Sequence, residues 1–339
     1  MNQEQLSRLL KICVANRRPV LVQGAPGVGK SDIIAGVAKE MGYELIISHP
    51  VVSEPVDAKG LPFPSSDGQT AKFLPYGELA AALGTSRPTI WFLDDLGQAS
   101  EDVQAAFMQL LLARRIGEHR LPDCVTFIAA TNRRQDRAGV KGLLEPVKSR
   151  FATIVELKPE LDPWLDWALD NDMPPHLIAY LRMRPEAFHV PTPTPDMTNS
   201  PSPRTWANVG RLLNDGLDDD LLLEALAGSV GVSYANDFAT FLRCAEELPS
   251  LDDVLLYPET ARIPKSISAL YALSDALAYA ANETNFGRIL EYAARLVDED
   301  KAEFVKYLVW ASIKRCPAIE KSTAYALALT SNKFSNILA

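Results

Sequence analysis

Two short stretches carry residue types suited to phosphate chemistry. The first, residues 24–31, reads GAPGVGKS and follows the apolar run VLVQ. Gly24, Gly27 and Gly29 let the backbone turn so that its N–H groups point inward at phosphate oxygens, with Ala25, Pro26 and Val28 completing the loop. Lys30 then reaches the β- and γ-phosphates of a nucleotide, and the Ser31 hydroxyl is a ligand for Mg²⁺. A helix opening here adds its positive end to the same site. The second stretch, TIWFLDDLG at residues 89–97, runs an apolar segment into adjacent Asp94 and Asp95. A loop that holds Mg²⁺ and a triphosphate needs an anionic neighbour on an adjacent strand, so Asp94 is expected to support the Mg²⁺ shell. Asp95 is expected to orient and polarise the water that attacks the γ-phosphate. The plain alternatives are a glycine-rich turn with a chance lysine, and a helix-capping or solvated aspartate.

The elements around these residues must bring them to one edge. From Pro19 short apolar runs (VLVQ, YELII, TIWFL, VTFIAA, TIVEL) alternate with helical patterns. Runs apolar on successive residues are expected of parallel strands covered on both faces, so the fold class is α/β. The helix after Ser100 has an N-cap, acidic Glu101 and Asp102 in its first turn, and Val103, Ala106, Phe107 and Leu110 on one face. Beyond about Glu160 the strands stop, and tryptophan, leucine and alanine recur at helical spacing. The proline-rich VPTPTPDMTNSPSP interrupts those helices as a loop or semi-rigid strap. The expected domains are a nucleotide-binding α/β core at 1–158, an α-helical lid at 159–250 and a helical extension at 251–339.

The 339 residues are 47% hydrophobic, without a window of about twenty apolar residues, and the N-terminal stretch lacks the pattern of a signal peptide. A cytoplasmic location is the expectation. Cys13, Cys124, Cys244 and Cys316 stand far apart, as do the four histidines, so no zinc-type spacing or disulfide framework is read. A formal charge of −9 argues against a surface broadly adapted to nucleic acid. Arg114, Arg115, Arg133, Arg134, Arg137, Lys141, Lys148 and Arg150 nevertheless concentrate positive charge in one part of the chain, either as a local channel or as a solvated or subunit-facing surface.

Taken together in order, these motifs resemble those of an AAA+ ATPase, and within that superfamily the MoxR group. FIAATNRR is similar to the sensor 1 strand, with Asn132 in the polar position; EPVKSRF resembles the arginine-finger segment, with Arg150 as the finger; SPRTW resembles the sensor 2 segment of the lid, with Arg204 as its arginine. The resemblance spans about residues 5 to 250. It implies a P-loop AAA+ core with a parallel sheet flanked by helices, then a helical lid and further helices. It also implies ATP and Mg²⁺ as ligands, hydrolysis at subunit boundaries of a ring, usually of six, and a partner with a von Willebrand factor A domain. One departure is chemical: the family's second acid is glutamate, whereas Asp95 is one methylene shorter, which implies slow hydrolysis.

Residues 53–83 resemble the MoxR hairpin insert. Lys59, Phe63, Phe73 and Tyr76 are there either contacts to a remodelled partner or packing beneath the hairpin. RRIGEHRLPD, before the sensor strand, is a candidate for a second hairpin. Two other functions compete with a protein remodeller: a nucleic-acid motor or loader, and a scaffold that uses nucleotide mainly to assemble.

Overall fold

The strands that flank the two motifs bury side chains on both faces, and this fixes the architecture. The computed structural model describes residues 1–66, 68–116, 119–136, 139, 141–192, 197–246 and 248–338. It divides into two units, Met1–Glu160 and Leu161–Ala339. The first contains, in order, α1 (Gln3–Ala15), β1 (Val20–Gln23), α2 (Lys30–Met41), β2 (Glu44–Ser48), α3 (Pro55–Lys59), β3 (Leu61–Pro64), β4 (Ala71–Leu74), α4 (Gly77–Gly84), β5 (Thr89–Leu93), α5 (Glu101–Ala113), β6 (Arg115–Ile116), β7 (His119–Arg120), β8 (Val125–Thr131), α6 (Glu145–Lys148) and β9 (Thr153–Glu156).

Five strands form a parallel sheet in the order β2-β5-β8-β1-β9, the expected α/β core with helices on its faces. Every residue of β5 and β8 is buried. Alternate side chains divide between two layers. Val20, Val22, Ile90, Phe92 and Ile128 pack with Leu6 and Leu10 of α1 and Ile34 and Val37 of α2. Leu21, Trp91, Leu93 and Phe127 pack with Val103, Phe107 and Leu110 of α5. Each fully buried side chain of this size contributes on the order of 1.5–3 kcal/mol relative to exposure. Trp91 stacks on Phe127 at 5.4 Å and satisfies its indole N–H at Ser48 Oγ, 2.8 Å away. The α5 N-terminus forms as the sequence predicts, with Ser100 Oγ accepting from the Val103 amide.

Two antiparallel hairpins leave this core. β3 pairs with β4 in the register Leu61↔Leu74, and β6 pairs with β7. Gly60 stands at the base of the first with φ +91°, and a Cβ there would lie 2.7 Å from the Leu74 carbonyl oxygen, so only glycine fits. Leu61, Phe63, Phe73 and Leu74 are exposed, so the aromatics at 63 and 73 are not packed beneath the hairpin. Tyr76 instead donates its hydroxyl to Asp57, a bond that raises its pKa to about 12. His119 Nε2 lies 2.7 Å from the Phe73 carbonyl oxygen and ties the hairpins together.

The second unit contains α7 (Leu161–Asp170), α8 (Pro175–Met183), α9 (Pro203–Asn214), α10 (Asp219–Val230), α11 (Val232–Glu246), α12 (Leu251–Leu256), α13 (Ile267–Ala280), α14 (Phe286–Asp298), α15 (Ala302–Arg315), α16 (Thr323–Thr330) and α17 (Ser335–Leu338). Its buried core runs from Trp164 to Phe334. Of the proline-rich strap, residues 193–196 lie outside the described residues, as does Arg137 of the basic run. No described helix is long and apolar enough to cross a membrane.

Within the helical core, Asp275 of α13 is fully buried and accepts a hydrogen bond from the Tyr307 hydroxyl of α15. Burial raises its pKa from 3.8 to about 7, against the lowering influence of Tyr307, Arg315 and Arg182. The Arg182 guanidinium lies over the Tyr307 and Trp310 rings, at 4.9 and 4.8 Å. An acid whose folded-state pKa exceeds its unfolded value binds a proton on folding, so its contribution to stability falls as pH rises from about 4 to about 7. Asp275→Asn keeps an acceptor for Tyr307 without the charge. Four of the five tryptophans, Trp164, Trp167, Trp206 and Trp310, lie in this unit. Thermal unfolding followed by their emission should show the variant several degrees more stable than wild type at pH 8 and nearly equal to it at pH 5.

Candidate nucleotide site

The carboxyl ends of β1, β5 and β8 gather the predicted residues. Parallel register pairs Gln23 with Thr131 and Leu93 with Ala129, so the 24–29 loop, Asp94 and Asn132 all emerge at one edge of the sheet. The loop is tied down at its start, where the Gly24 amide donates to the Thr131 carbonyl at 3.2 Å. Gly29, with φ +89°, makes the left-handed turn that opens α2, a conformation strained for any residue with a Cβ.

Lys30, the first residue of α2, is 7% exposed. Its ammonium donates to the Gly24 and Ala25 carbonyls, each at 3.0 Å, and to Asn132 Oδ1 at 2.7 Å. Ser31 Oγ donates to Asp94 Oδ2 at 2.8 Å, and Asp94 Oδ1 accepts from the Asp95 amide at 3.0 Å. Asp95 has φ 56°, a left-handed backbone that aspartate adopts more readily than most residues. Its Oδ1 accepts from Asn132 Nδ2 at 3.2 Å and from Gln98 Nε2 at 2.9 Å. The Asn132 amide thus faces Lys30 with its oxygen and Asp95 with its nitrogen, so both neighbours fix its orientation.

This geometry suits a hard cation beside a phosphate cradle. Two oxygens each about 2.05 Å from an octahedral Mg²⁺ stand roughly 2.9 Å apart when adjacent, close to the Ser31–Asp94 separation. Ser31 and Asp94 are therefore the residues that fit the metal, and the backbone amides of residues 24–31 with Lys30 fit the phosphates.

The other predicted residues stand elsewhere. Arg150 follows α6, is half-buried and donates Nη1 to Ser149 Oγ at 3.1 Å, while its Nε is buried without a partner among the described residues. Arg204 is exposed on the first turn of α9, behind the Ser202–Thr205 capping box. A cation there runs against the helix dipole, an arrangement that a bound anion would relieve. The basic run does not form one open surface. Arg114 is driven into partial burial, which lowers its pKa, and donates to the Pro122 and Val125 carbonyls at 2.7 and 2.8 Å. Arg133 is held charged by its bonds to Asp136, with Glu156 adding to the effect, and Lys148 pairs with Glu145.

Gln98 escaped sequence reasoning, because a glutamine in a turn matches no motif and its bond depends on the backbone bend at Asp95. Beside Asn132 lies a cleft of about 770 Å³, lined by Leu21, Arg133, Leu144, Ile154 and Glu156 among others; its lining includes none of residues 24–31 and neither Asp94 nor Asp95.

Residues 20–159 match the family model described as AAA, "ATPase family associated with various cellular activities". This stretch is similar to AAA ATPase domains. Midasin from Giardia intestinalis is 28% identical over 177 residues, which cover 49% of this chain and 4% of midasin's length. Among solved structures, the RuvB P216G mutant from Thermotoga maritima aligns with a TM-score of 0.44 and 17% identity over 75% of each chain. NtrX from Brucella abortus in complex with ADP aligns with a TM-score of 0.43 and 13% identity, covering 99% of this chain and 68% of that one.

The Ser31–Asp94 pair makes a direct prediction. Ser31→Ala removes one of the two oxygens that fit the cation and leaves the loop glycines intact. Titration with a fluorescent ATP analogue should give similar Kd values in Mg²⁺ and in EDTA for the variant, whereas wild type binds more tightly with Mg²⁺.

Proposed function

We propose that this chain is a MoxR-like ATPase that binds and hydrolyses ATP at the subunit interfaces of a ring, slowly on account of its short second acid, and uses the cycle to remodel or assemble a protein partner.

 The observation that carries this reading is the continuous run of hydrogen bonds from Ser31 through Asp94 and Asp95 to Asn132 and Lys30. It gathers a phosphate cradle, a metal-binding pair and a carboxylate at the carboxyl edge of a parallel sheet, where ligands of such sheets bind.

In this reading Lys30 and the amides of residues 24–31 bind the phosphates, Ser31 and Asp94 hold Mg²⁺, which supplies charge neutralisation when bound, and Asn132 senses the γ-phosphate. The water oxygen bonds to the γ-phosphorus, the bond to the β-phosphate oxygen breaks, and a water proton passes to Asp95, leaving ADP and phosphate. Arg150 acts on the neighbouring subunit's nucleotide, and Arg204 reaches the nucleotide from the lid at 159–250, with 251–339 as a helical extension. The exposed apolar hairpin of β3 and β4 is the surface offered to the remodelled protein, with a von Willebrand factor A domain protein as the expected partner.

The ring makes a specific demand: each active site takes its cradle from one copy and its finger from the next. Arg150→Ala should lower turnover by on the order of 10³-fold or more while leaving ATP binding near wild type. Lys30→Ala should abolish productive binding. Mixing the two inactive variants should restore part of the ATPase rate, because some interfaces then combine an intact cradle with an intact finger. A mixture as inactive as its components would rule out completion in trans.

A further inference from the structure

Asp95 is short for its assigned task, and the residues around it bear on how it is held. Its Oδ1 is bound by two donors, Gln98 Nε2 and Asn132 Nδ2, whereas Oδ2 makes no hydrogen bond to a described residue. Gln98 stands at the end of the one-turn helix Leu96–Gln98, and this turn is fixed at several points. The Gln98 amide closes onto the Asp95 carbonyl at 2.9 Å, Leu96 and Gly97 are buried, and the Gly97 carbonyl accepts from the Lys141 and Gly142 amides at 3.1 and 3.3 Å. A side chain mounted on so firm a turn holds its partner in one place.

The glutamine also bears a cost. Its Oε1 is buried and has no hydrogen-bond partner among the described residues. Turning the amide over would set Oε1 against a carboxylate oxygen of Asp95, so the bond to Asp95 fixes which end is left unpaired. A buried acceptor without a donor is unfavourable, and a residue needed only for packing would be served as well by an apolar chain of the same length.

We propose that Gln98 is a positioning residue for ATP hydrolysis: its amide pins Asp95 Oδ1, so that Oδ2 is presented to the attacking water despite the short side chain. The proposal rests on the reading of Asp95 as the group that polarises that water. Small misplacements of a reacting group are costly, because the bound geometry must already approach that of the reaction. Gln98 thus supplies by restraint what the missing methylene takes away in reach. Asn132 shares the work on Oδ1, but it also answers to Lys30, so Gln98 is the donor with no second duty.

The test uses the full chain and two substitutions, Gln98→Met, which keeps length and apolar bulk, and Gln98→Ala. Both should lower kcat for ATP by about 10- to 100-fold with KM little changed. In an Asp95→Glu background the same substitutions should cost far less, because the longer carboxylate reaches the water without the restraint. Unchanged kcat in both variants, or an equal loss in both backgrounds, overturns the proposal. Should wild type bind ATP without turning it over, the hydrolysis reading fails by itself, and the restraint is judged separately. The Gln98 side-chain amide resonance in a ¹H–¹⁵N spectrum should then move in Asp95→Ala and stay in place in Asp102→Ala; an indifferent resonance overturns it.

Discussion

The bond between Asn132 and Lys30 is the interaction on which the site depends. An ammonium 7% exposed to solvent is costly unless its three hydrogens are met, and here two loop carbonyls and the Asn132 oxygen meet them. Because the same asparagine amide donates to Asp95, the position of the lysine and that of the carboxylate are not independent. Any phosphate that draws Lys30 toward itself competes with Asn132, and the outcome is felt at Asp95. The arrangement couples occupancy of the loop to the Asp95 carboxylate through one side chain.

That coupling needs strands whose ends lie side by side. β8 sits between β5 and β1 in the sheet, so Asn132 leaves its strand midway between Asp94 and the 24–29 loop. The two apolar layers lock the register that sets this spacing, since sliding one strand by a single residue would exchange its two buried faces. The short network therefore draws its accuracy from the long-range packing of Trp91, Phe127 and Phe107 on one side and Phe92 and Ile128 on the other.

Much of this was legible in the sequence. GAPGVGKS, the paired aspartates, the Ser100 cap and the strands apolar on successive residues all have local signatures, and the structure forms the α/β core they describe. What local patterns do not carry is partnership across the chain. Arg114 reads as one more charge in a basic run, yet it satisfies carbonyls eight and eleven residues away. Gln98 reads as a turn residue, because nothing near it in sequence announces the left-handed bend that brings Asp95 within its reach. Arg150 and Arg204 draw their proposed roles from motif order alone, since the contact proposed for each lies beyond the domain that carries it.

The pinched base of the β3–β4 hairpin has a mechanical consequence. With Gly60 set against the Leu74 backbone and His119 fastened to Phe73, the hairpin is a stiff spur instead of a slack flap. A slack flap absorbs a push at its tip, whereas a spur passes torque to its root. That root is α3, whose Ala58 is buried among the side chains of α5, the helix that begins just past the Gln98 turn. Phe63 on the spur and the Gln98 turn before α5 are thus linked through the burial of Ala58.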